Sequence, residues 1–268
     1  GVQFVIQIIL ARLLCPEDYG ILAILLAFIA VANVFVQSGL NTALIQKKDA
    51  DQTDFSSVFW ISLFIASVLY VILFITSPLI ASFYSSSSLI PVLRVISITL
   101  FFGALNSVQN AFVSKNMLFK RFFYSSTGGA LGSGIIGIVL AYKGFGIWAL
   151  VFQHLLNNAL ISVILWFTVK WRPSFVFSFK KTKALFSFGW KLLGSALLDT
   201  GYRQLYNLVI GKAFTSDQLG YFSRGEQFPQ IIAVNIDGSI QSVMLPTLSA
   251  VNDNPVEVKN IARKAISV

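Results

Sequence analysis

The chain has 268 residues, of which 56% are hydrophobic and 12% charged, with a mean hydropathy of +0.75. Soluble domains carry about 25% charge, so this composition leaves too little polar surface for life in water, and the 25 phenylalanines suit helices that face lipid. One cysteine, Cys15, and one histidine, His154, exclude an intramolecular disulfide, a multi-cysteine metal site and most Cys/His nucleophile chemistry.

Residues 1–14 form an apolar helix too short to cross a hydrocarbon core, which takes about 20 helical residues. The far end closes in a basic amphipathic stretch, Val256–Val268, of the kind that leads into another helix. The expectation is a piece of a longer protein trimmed at both ends, in which no signal peptide can be assigned. Between the ends, apolar segments recur at Ile21–Ile45, Val58–Phe83, Leu89–Val113, Tyr124–Tyr142, Ile147–Val169, Trp190–Phe214 and Phe228–Val251. Each is of spanning length, and the breaks carry Pro, Gly, Ser, Asp and Lys. The fold class is therefore all-α, a polytopic transmembrane helical bundle.

Orientation follows from the positive charges. Alternate loops collect Lys47 and Lys48; Lys115, Lys120 and Arg121; Lys170, Arg172, Lys180, Lys181, Lys183 and Lys191; and Lys259, Arg263 and Lys264, which is 14 of the 20 Lys and Arg. The opposite loops hold Arg12, Lys143, Lys212 and Arg224, while Arg94 and Arg203 fall within segments. The split places the N-terminus on the cytoplasmic side, with positive charge spread over one membrane face. That spread argues against a nucleic-acid partner despite the pI of 9.7. The longest basic loop, Lys170–Lys191, mixes Lys with Phe and Trp, and is expected to hold a short helix in the headgroup layer rather than a plain linker.

A repeat supports a two-part plan. Cys15-Pro16-Glu17-Asp18-Tyr19-Gly20 is echoed 200 residues later by Thr215-Ser216-Asp217-Gln218-Leu219-Gly220, and polar residues stud both following segments. Six helices separate the copies, so both point the same way, as in parallel lobes related by an axis along the membrane normal. The division expected is a first six-helix lobe over 1–171, an interfacial linker helix over 172–189, and the first two helices of a second, truncated lobe over 190–268.

Several constellations could carry chemistry. Ser125, Gly129, Ser133 and Gly137, at four-residue spacing, form a small-residue face for close helix packing, compatible with a sliding surface. Asn33, Gln37 and Asn41; Asn106, Gln109, Asn110 and Ser114; and His154, Asn157, Asn158 and Ser162 form polar stripes, either interhelical glue or the wall of a wet cavity. His154 alone reads as a hydrogen-bonded structural residue. Asp199, Arg203 and Asp237 lie inside apolar segments, where a charge costs roughly 2.5–3.5 kcal/mol at a helix centre, so they are expected to face protein or water. Asp199 and Arg203 at i, i+4 either pair structurally, with Asp237 as a third partner, or form a patch for an anionic substrate or a coupling cation. Arg94 is placed to snorkel, and Arg12 to pair with Glu17 or Asp18. There is no paired-carboxylate glycosidase spacing, Gly-rich phosphate loop or Walker motif, and no loop long enough for an ATPase domain.

Four stretches carry a family resemblance: ARLLCPEDYG (11–20), QSGLNTALIQ (37–46), LFSFGWK (185–191) and LGYFSRGEQFP (219–229). Together they resemble the Wzx-type lipopolysaccharide and O-antigen flippases of the multidrug/oligosaccharidyl-lipid/polysaccharide exporter superfamily, with Cys15 standing where that family usually has a small residue such as Ser. The resemblance implies a non-enzymatic flippase of the bacterial inner membrane, moving an undecaprenyl-diphosphate-linked oligosaccharide between leaflets by alternating access of two lobes. It implies no cofactor, leaves coupling to H+ or Na+ open, and points to membrane lipids and glycan-assembly proteins as partners. Arg203 is then the first choice for a diphosphate contact, with Arg12 and Arg94 near the outer exit. Asp199 and Asp237 would serve ion coupling or hold the arginine, and Asn33, Asn110 and Asn157 would face sugars. The alternatives are a small-molecule or drug antiporter of the same fold, and a membrane glycan polymerase or ligase, which the short outer loops disfavour.

Overall fold

A computed structural model describes residues 2–47, 49–116, 118–227 and 229. Eight helices follow in order: α1 (Val2–Leu13), α2 (Pro16–Gln46), α3 (Gln52–Phe83), α4 (Leu89–Ile96), α5 (Thr99–Lys115), α6 (Phe119–Tyr142), α7 (Ile147–Thr168) and α8 (Phe179–Ala213). Residues 216–227 are helical again, and no strand occurs among the described residues. Among the described residues five stretches are long and apolar enough to cross a membrane: Pro16–Gln37, Gln52–Phe83, Leu89–Lys115, Lys120–Tyr142 and Ile147–Thr168. The expected segment Trp190–Phe214 is not among them, because Asp199, Arg203, Gln204 and Asn207 lower its apolar content. The chain is thus a multi-pass, all-helical membrane protein. The expected segment Phe228–Val251 apart from Pro229, with Asp237, and the basic stretch at 259–264 lie outside the described residues.

Local chemistry sets the helix ends. Pro16 sits in the first turn of α2, where its missing N–H costs nothing. Asp51 caps α3 in a reciprocal box: its carboxylate accepts from the Asp54 N–H at 2.9 Å, and the Asp54 carboxylate accepts from the Asp51 N–H at 3.1 Å. Inside α3, Pro78 cannot donate to the carbonyl of Phe74. The Ser77 hydroxyl donates to that carbonyl at 2.8 Å and itself accepts from Arg94 Nε at 3.0 Å. In hydrocarbon a freed carbonyl must find a partner nearby, and Ser77 supplies it.

Two boundaries differ from the sequence expectation. Leu89–Val113 is not one helix but α4 and α5, broken at Ser97 and Ile98. No Pro or Gly marks the break. Buried Ser97 and Thr99 turn their hydroxyls onto the carbonyls of Leu93 and Ile96, both at 2.6 Å, and such back-bonding bends a helix. Residues 172–189 are likewise not a separate linker helix. Residues 169–178 run as a non-helical strap, and 179–189 are the first turns of the continuous 35-residue α8. The apolar and basic residues there suggested a break, but nothing after Ser178 stops helix propagation.

The strap lies along one face of α3. The Ser56 hydroxyl accepts from the Ser174 N–H at 3.0 Å, the Ser57 hydroxyl accepts from the Ser178 N–H at 3.0 Å, and Trp60 donates to the Ser174 carbonyl at 3.0 Å. Gln52 donates to the Arg172 carbonyl at 2.6 Å. Buried Trp171 packs among Phe55, Phe59 and Phe112.

Sidedness is visible in the contacts. At one end Lys47 pairs with buried Asp54 at 2.6 Å, Lys115 donates to the Lys47 carbonyl, and Lys181 pairs with Asp51. The basic loops therefore gather on one face. At the other end the Asp18 carboxylate accepts from the N–H of Ile147, the first residue of α7. There too Lys212 donates to the Phe83 carbonyl, and the Tyr84 hydroxyl donates to the Leu208 carbonyl at 3.2 Å.

Candidate functional site

The polar stripes divide into glue and cavity. On α2, Gln37 donates to Asn33 at 3.2 Å, and both amides lie against Gly103 of α5, where an added Cβ would stand 2.7 Å from Asn33 Oδ1. Asn41 donates to the Ser107 hydroxyl. Asn106, buried on α5, reaches the Asn158 carbonyl of α7 at 3.5 Å, and Gln109, 1% exposed, reaches the Trp171 carbonyl at 3.5 Å. This polar layer joins α2, α5 and α7 between two apolar clusters, one around Leu25, Leu93 and Leu100 and one around Leu44, Val58 and Leu165. Asn33 therefore serves packing between α2 and α5. The carbonyl oxygens of Asn41, Asn106, Gln109 and Asn110 find no protein partner, and groups of this kind are ordinarily satisfied by ordered water.

The cavity proper lies between α1, α6 and α7. It measures about 40 Å³, room for a few waters, and is lined by Gln3, Ile6, Gln7, Ala130, Ser133, Gln153, His154 and Asn157. Its origin is the run of small residues on α6. Gly128, Gly129, Gly132 and Gly137 let α7 approach so closely that a Cβ would stand 2.6–2.8 Å from Ile164, Ile161, Leu160 and Gln153, and Gly134 admits Ile6 of α1. Ala130 and Ser133, small but not glycine, face the space left between the two neighbours. Every polar group around it is neutral or a histidine, which suits water and hydroxyl groups. Of the substrate contacts expected from the sequence only Asn157 lines it, together with His154 of the same stripe and Ser133 of the small-residue face. Gln3 and Gln7 at i, i+4, with Gln153 and Asn157 at i, i+4, were the legible signal for the rest.

The charged residues do not converge on this cavity. Arg203 Nε donates to both carboxylate oxygens of Asp199, at 3.0 and 3.1 Å, and both side chains are 60% exposed on α8. Tyr202 and Tyr206 stand beside them, ring centroids 6.2 Å apart, also exposed. The face reads Asp, Tyr, Arg, Tyr, a mixture of a charge pair and two aromatic plates. Arg94 does not snorkel to an interface. It sits over the Phe74 ring at 4.1 Å, holding the Ser77 hydroxyl that mends the Pro78 break. Arg12 is exposed at the end of α1 and joins no salt bridge among the described residues, Asp18 being engaged by the α7 backbone instead.

The two copies of the repeat touch. A Cβ on Gly20 would stand 1.8 Å from the Ser216 carbonyl oxygen, and a Cβ on Gly220 would stand 1.9 Å from the Pro16 carbonyl oxygen. The contact is reciprocal, Pro16 to Gly220 and Ser216 to Gly20. At the other end of α2, Gly39 and Gly189 of α8 meet the same way, each carbonyl oxygen 2.6–2.8 Å from the other's Cβ position.

Comparison with known proteins agrees with this architecture. A structure of a multidrug resistance transporter of the MATE family, in the MOP superfamily and in an inward-facing conformation, superposes with a TM-score of 0.73, at 19% identity, over 99% of this chain and 66% of that one. The succinoglycan biosynthesis transport protein ExoT of Rhizobium meliloti is 28% identical over 249 residues, 92% of this chain and 50% of that protein. The lipopolysaccharide biosynthesis protein WzxC of Escherichia coli is 20% identical over 100% of this chain and 55% of its own length. The teichuronic acid biosynthesis protein TuaB of Bacillus subtilis is 25% identical over 80% of this chain. The chain spans about half the length of these relatives. A family model described as "Polysaccharide biosynthesis protein" matches residues 9–268, and the chain belongs to that family.

Proposed function

We propose that the full protein, of which this chain provides about half the length of the relatives, moves a lipid-linked oligosaccharide across the bacterial inner membrane, with the N-terminus cytoplasmic. The observation that carries the reading is the family match over 9–268 on a bundle with a transporter fold. The face of α8 supports it. A diphosphate needs a cation that is not locked in a buried pair, and Arg203 is exposed, with only its Nε engaged by Asp199. A sugar chain needs aromatic plates with polar edges, and Tyr202 and Tyr206 flank the arginine. Asp199 orients Arg203 and offsets its charge until substrate arrives.

The test is complementation of a flippase-deficient strain by the full-length gene, read as surface glycan at matched protein level. Arg203→Ala should abolish export and Arg203→Lys should retain part of it. Normal glycan from Arg203→Ala removes α8 from the path. The MATE-like fold favours a second reading, small-molecule efflux. Drug export by the wild type with no glycan rescue would establish that reading instead.

A further inference from the structure

We propose that the strap and the first turns of α8 form a binding surface for the headgroups of anionic phospholipids. This goes beyond the transported substrate and rests only on the chain's being a membrane protein.

Length is the first argument. At about 1.5 Å per residue the 35 residues of α8 measure about 52 Å, whereas a hydrocarbon core is about 30 Å thick. We take α8, which is not among the five apolar spans, to cross the core between Lys191 and Lys212, which are 21 positions or about 32 Å apart. The turns before Lys191 then project into the headgroup layer.

What those turns present is the second argument. Phe179, Lys183, Phe186 and Trp190 share one stripe of α8, and Lys180 and Lys191 share the next. All six are exposed. The strap continues the surface with Lys170, Phe175 and Phe177, and Phe175 is 94% exposed although the Trp60 ring stacks on it at 5.3 Å and the Ser174 bonds hold the backbone beside it. A fixed phenylalanine left in water forgoes the gain of burial. The acyl boundary recovers that, and lysines interleaved with aromatics belong at that depth.

Charge is the third argument. No Asp or Glu occurs from 169 to 198. Lys181 is committed to Asp51, but Lys170, Lys180, Lys183 and Lys191 join no salt bridge among the described residues. Along α8 the three free lysines extend over about 16 Å. That is too wide for one diphosphate and suits a row of separate phosphates, so the occupant is bulk anionic phospholipid rather than the lipid-diphosphate substrate.

Trp190 is the built-in reporter. The chain is reconstituted in vesicles containing brominated phosphatidylglycerol or brominated phosphatidylcholine, with a Trp190→Phe chain as background, and the local lipid ratio is read from quenching. A lysine near an anionic surface contributes about 1 kcal/mol, about fivefold, so phosphatidylglycerol should be enriched about fivefold or more. The combined Lys170→Gln, Lys180→Gln, Lys183→Gln, Lys191→Gln chain should bring the ratio towards one, the four Lys→Arg changes should keep it, and Lys143→Gln should leave it unchanged. A wild-type ratio near one, or a ratio indifferent to the four lysines, overturns the proposal. So does loss of enrichment to added pyrophosphate at fixed ionic strength, which marks a compact diphosphate site. If the glutamine chain fails to assemble, salt decides on the wild type. Raising NaCl from about 0.1 to about 1 M shortens the screening length from about 10 to about 3 Å, and enrichment that does not fall refutes a charge-based surface.

Discussion

Replacing Gly20 or Gly220 by alanine tests the tightest glycine contact among the described residues. In an ordinary helix the change is favourable, because glycine costs about 1 kcal/mol against alanine. Here the new methyl would stand 1.8 Å from the Ser216 oxygen in one variant and 1.9 Å from the Pro16 oxygen in the other. Ordinary contact needs about 3.4 Å or more, so the two backbones must part by about 1.5 Å, and neither neighbour is a flexible side chain that can step aside. Overpacking of this kind costs typically 1–3 kcal/mol and more when backbone is the obstacle, which outweighs the propensity gain. Gly194 and Gly201 of α8 have nothing within 4 Å of the Cβ position, so alanine there should be neutral or stabilising by up to about 1 kcal/mol. The assay is thermal unfolding of the detergent-solubilised chain, followed by helical circular dichroism. Gly20→Ala and Gly220→Ala should both lower the midpoint by several degrees, and by similar amounts, since one contact is broken from either side. A midpoint for Gly20→Ala equal to that of Gly201→Ala refutes the reasoning, and so does a large inequality between the reciprocal pair.

Ser77→Ala should destabilise the chain by about 1–3 kcal/mol, because it orphans the Phe74 carbonyl in an apolar setting. In a Pro78→Ala background the restored N–H takes that carbonyl, and the same change should become nearly silent in a thermal double-mutant cycle. Removing the Ser56 and Ser57 hydroxyls together should speed hydrogen exchange at the Ser174 and Ser178 amides by mass spectrometry while leaving the middle of α3 protected. The Lys181 ammonium first, and the Asp54 N–H second, hold the Asp51 carboxyl down at about 2, below its ordinary 3.8. This tie is complete above about pH 4 and is lost as pH falls through about 2. The same carboxylate pushes the Lys181 ammonium above its ordinary 10.5, so the tie also survives mildly alkaline conditions. Limited proteolysis at the strap should therefore be flat from neutral pH down to about pH 4 and rise below it. Asp51→Ala, which removes the α3 cap as well, should cost about 0.5–2 kcal/mol in thermal unfolding.

The class of fold was legible because spanning helices are written in bulk: some twenty apolar residues at a time, with the lysines of alternate loops on one side. The structure gathers Lys47, Lys115 and Lys181 on that side through contacts among the loops themselves. The break between α4 and α5 was not legible. It depends on where the hydroxyls of Ser97 and Thr99 turn, and apolar periodicity does not register that. The role of Arg94 was hidden for a related reason. Its meaning lies with Pro78 and Ser77, sixteen and seventeen residues earlier, and a single charged residue near a helix end looks the same whether it snorkels or mends a proline break. The small-residue face of α6 was visible, but the cavity it creates required knowing which neighbour each position meets. Gly129 meets α7 and Gly134 meets α1, and Ser133 between them is left facing space.

The repeat at 15–20 and 215–220 gains a physical meaning from the glycine contact. Two copies of one motif that meet reciprocally, position 16 against 220 and 216 against 20, stand as a two-fold axis between them requires. Each glycine lies against a backbone carbonyl of the other copy, so each must lack a Cβ for that approach to occur. Gly20 is thus required by the Ser216 carbonyl and Gly220 by the Pro16 carbonyl. The flanking residues differ between the copies, Glu17 against Asp217 and Tyr19 against Leu219. The Gly39–Gly189 contact is equally tight, yet its partners are not repeat equivalents, since position 239 and not 189 is the counterpart of 39. One end of α2 thus meets the chain's own echo, while the other meets the projecting first turns of α8, which the strap ties to α3. Of these contacts only Gly39–Gly189 joins α2 to α8, so movement of α8 against α2 has to open that one, whereas Gly20 and Gly220 join α2 to the helix that begins at Ser216. The end bound through Lys181, Asp51 and the Ser56–Ser57 hydrogen bonds is the one the fold holds in place.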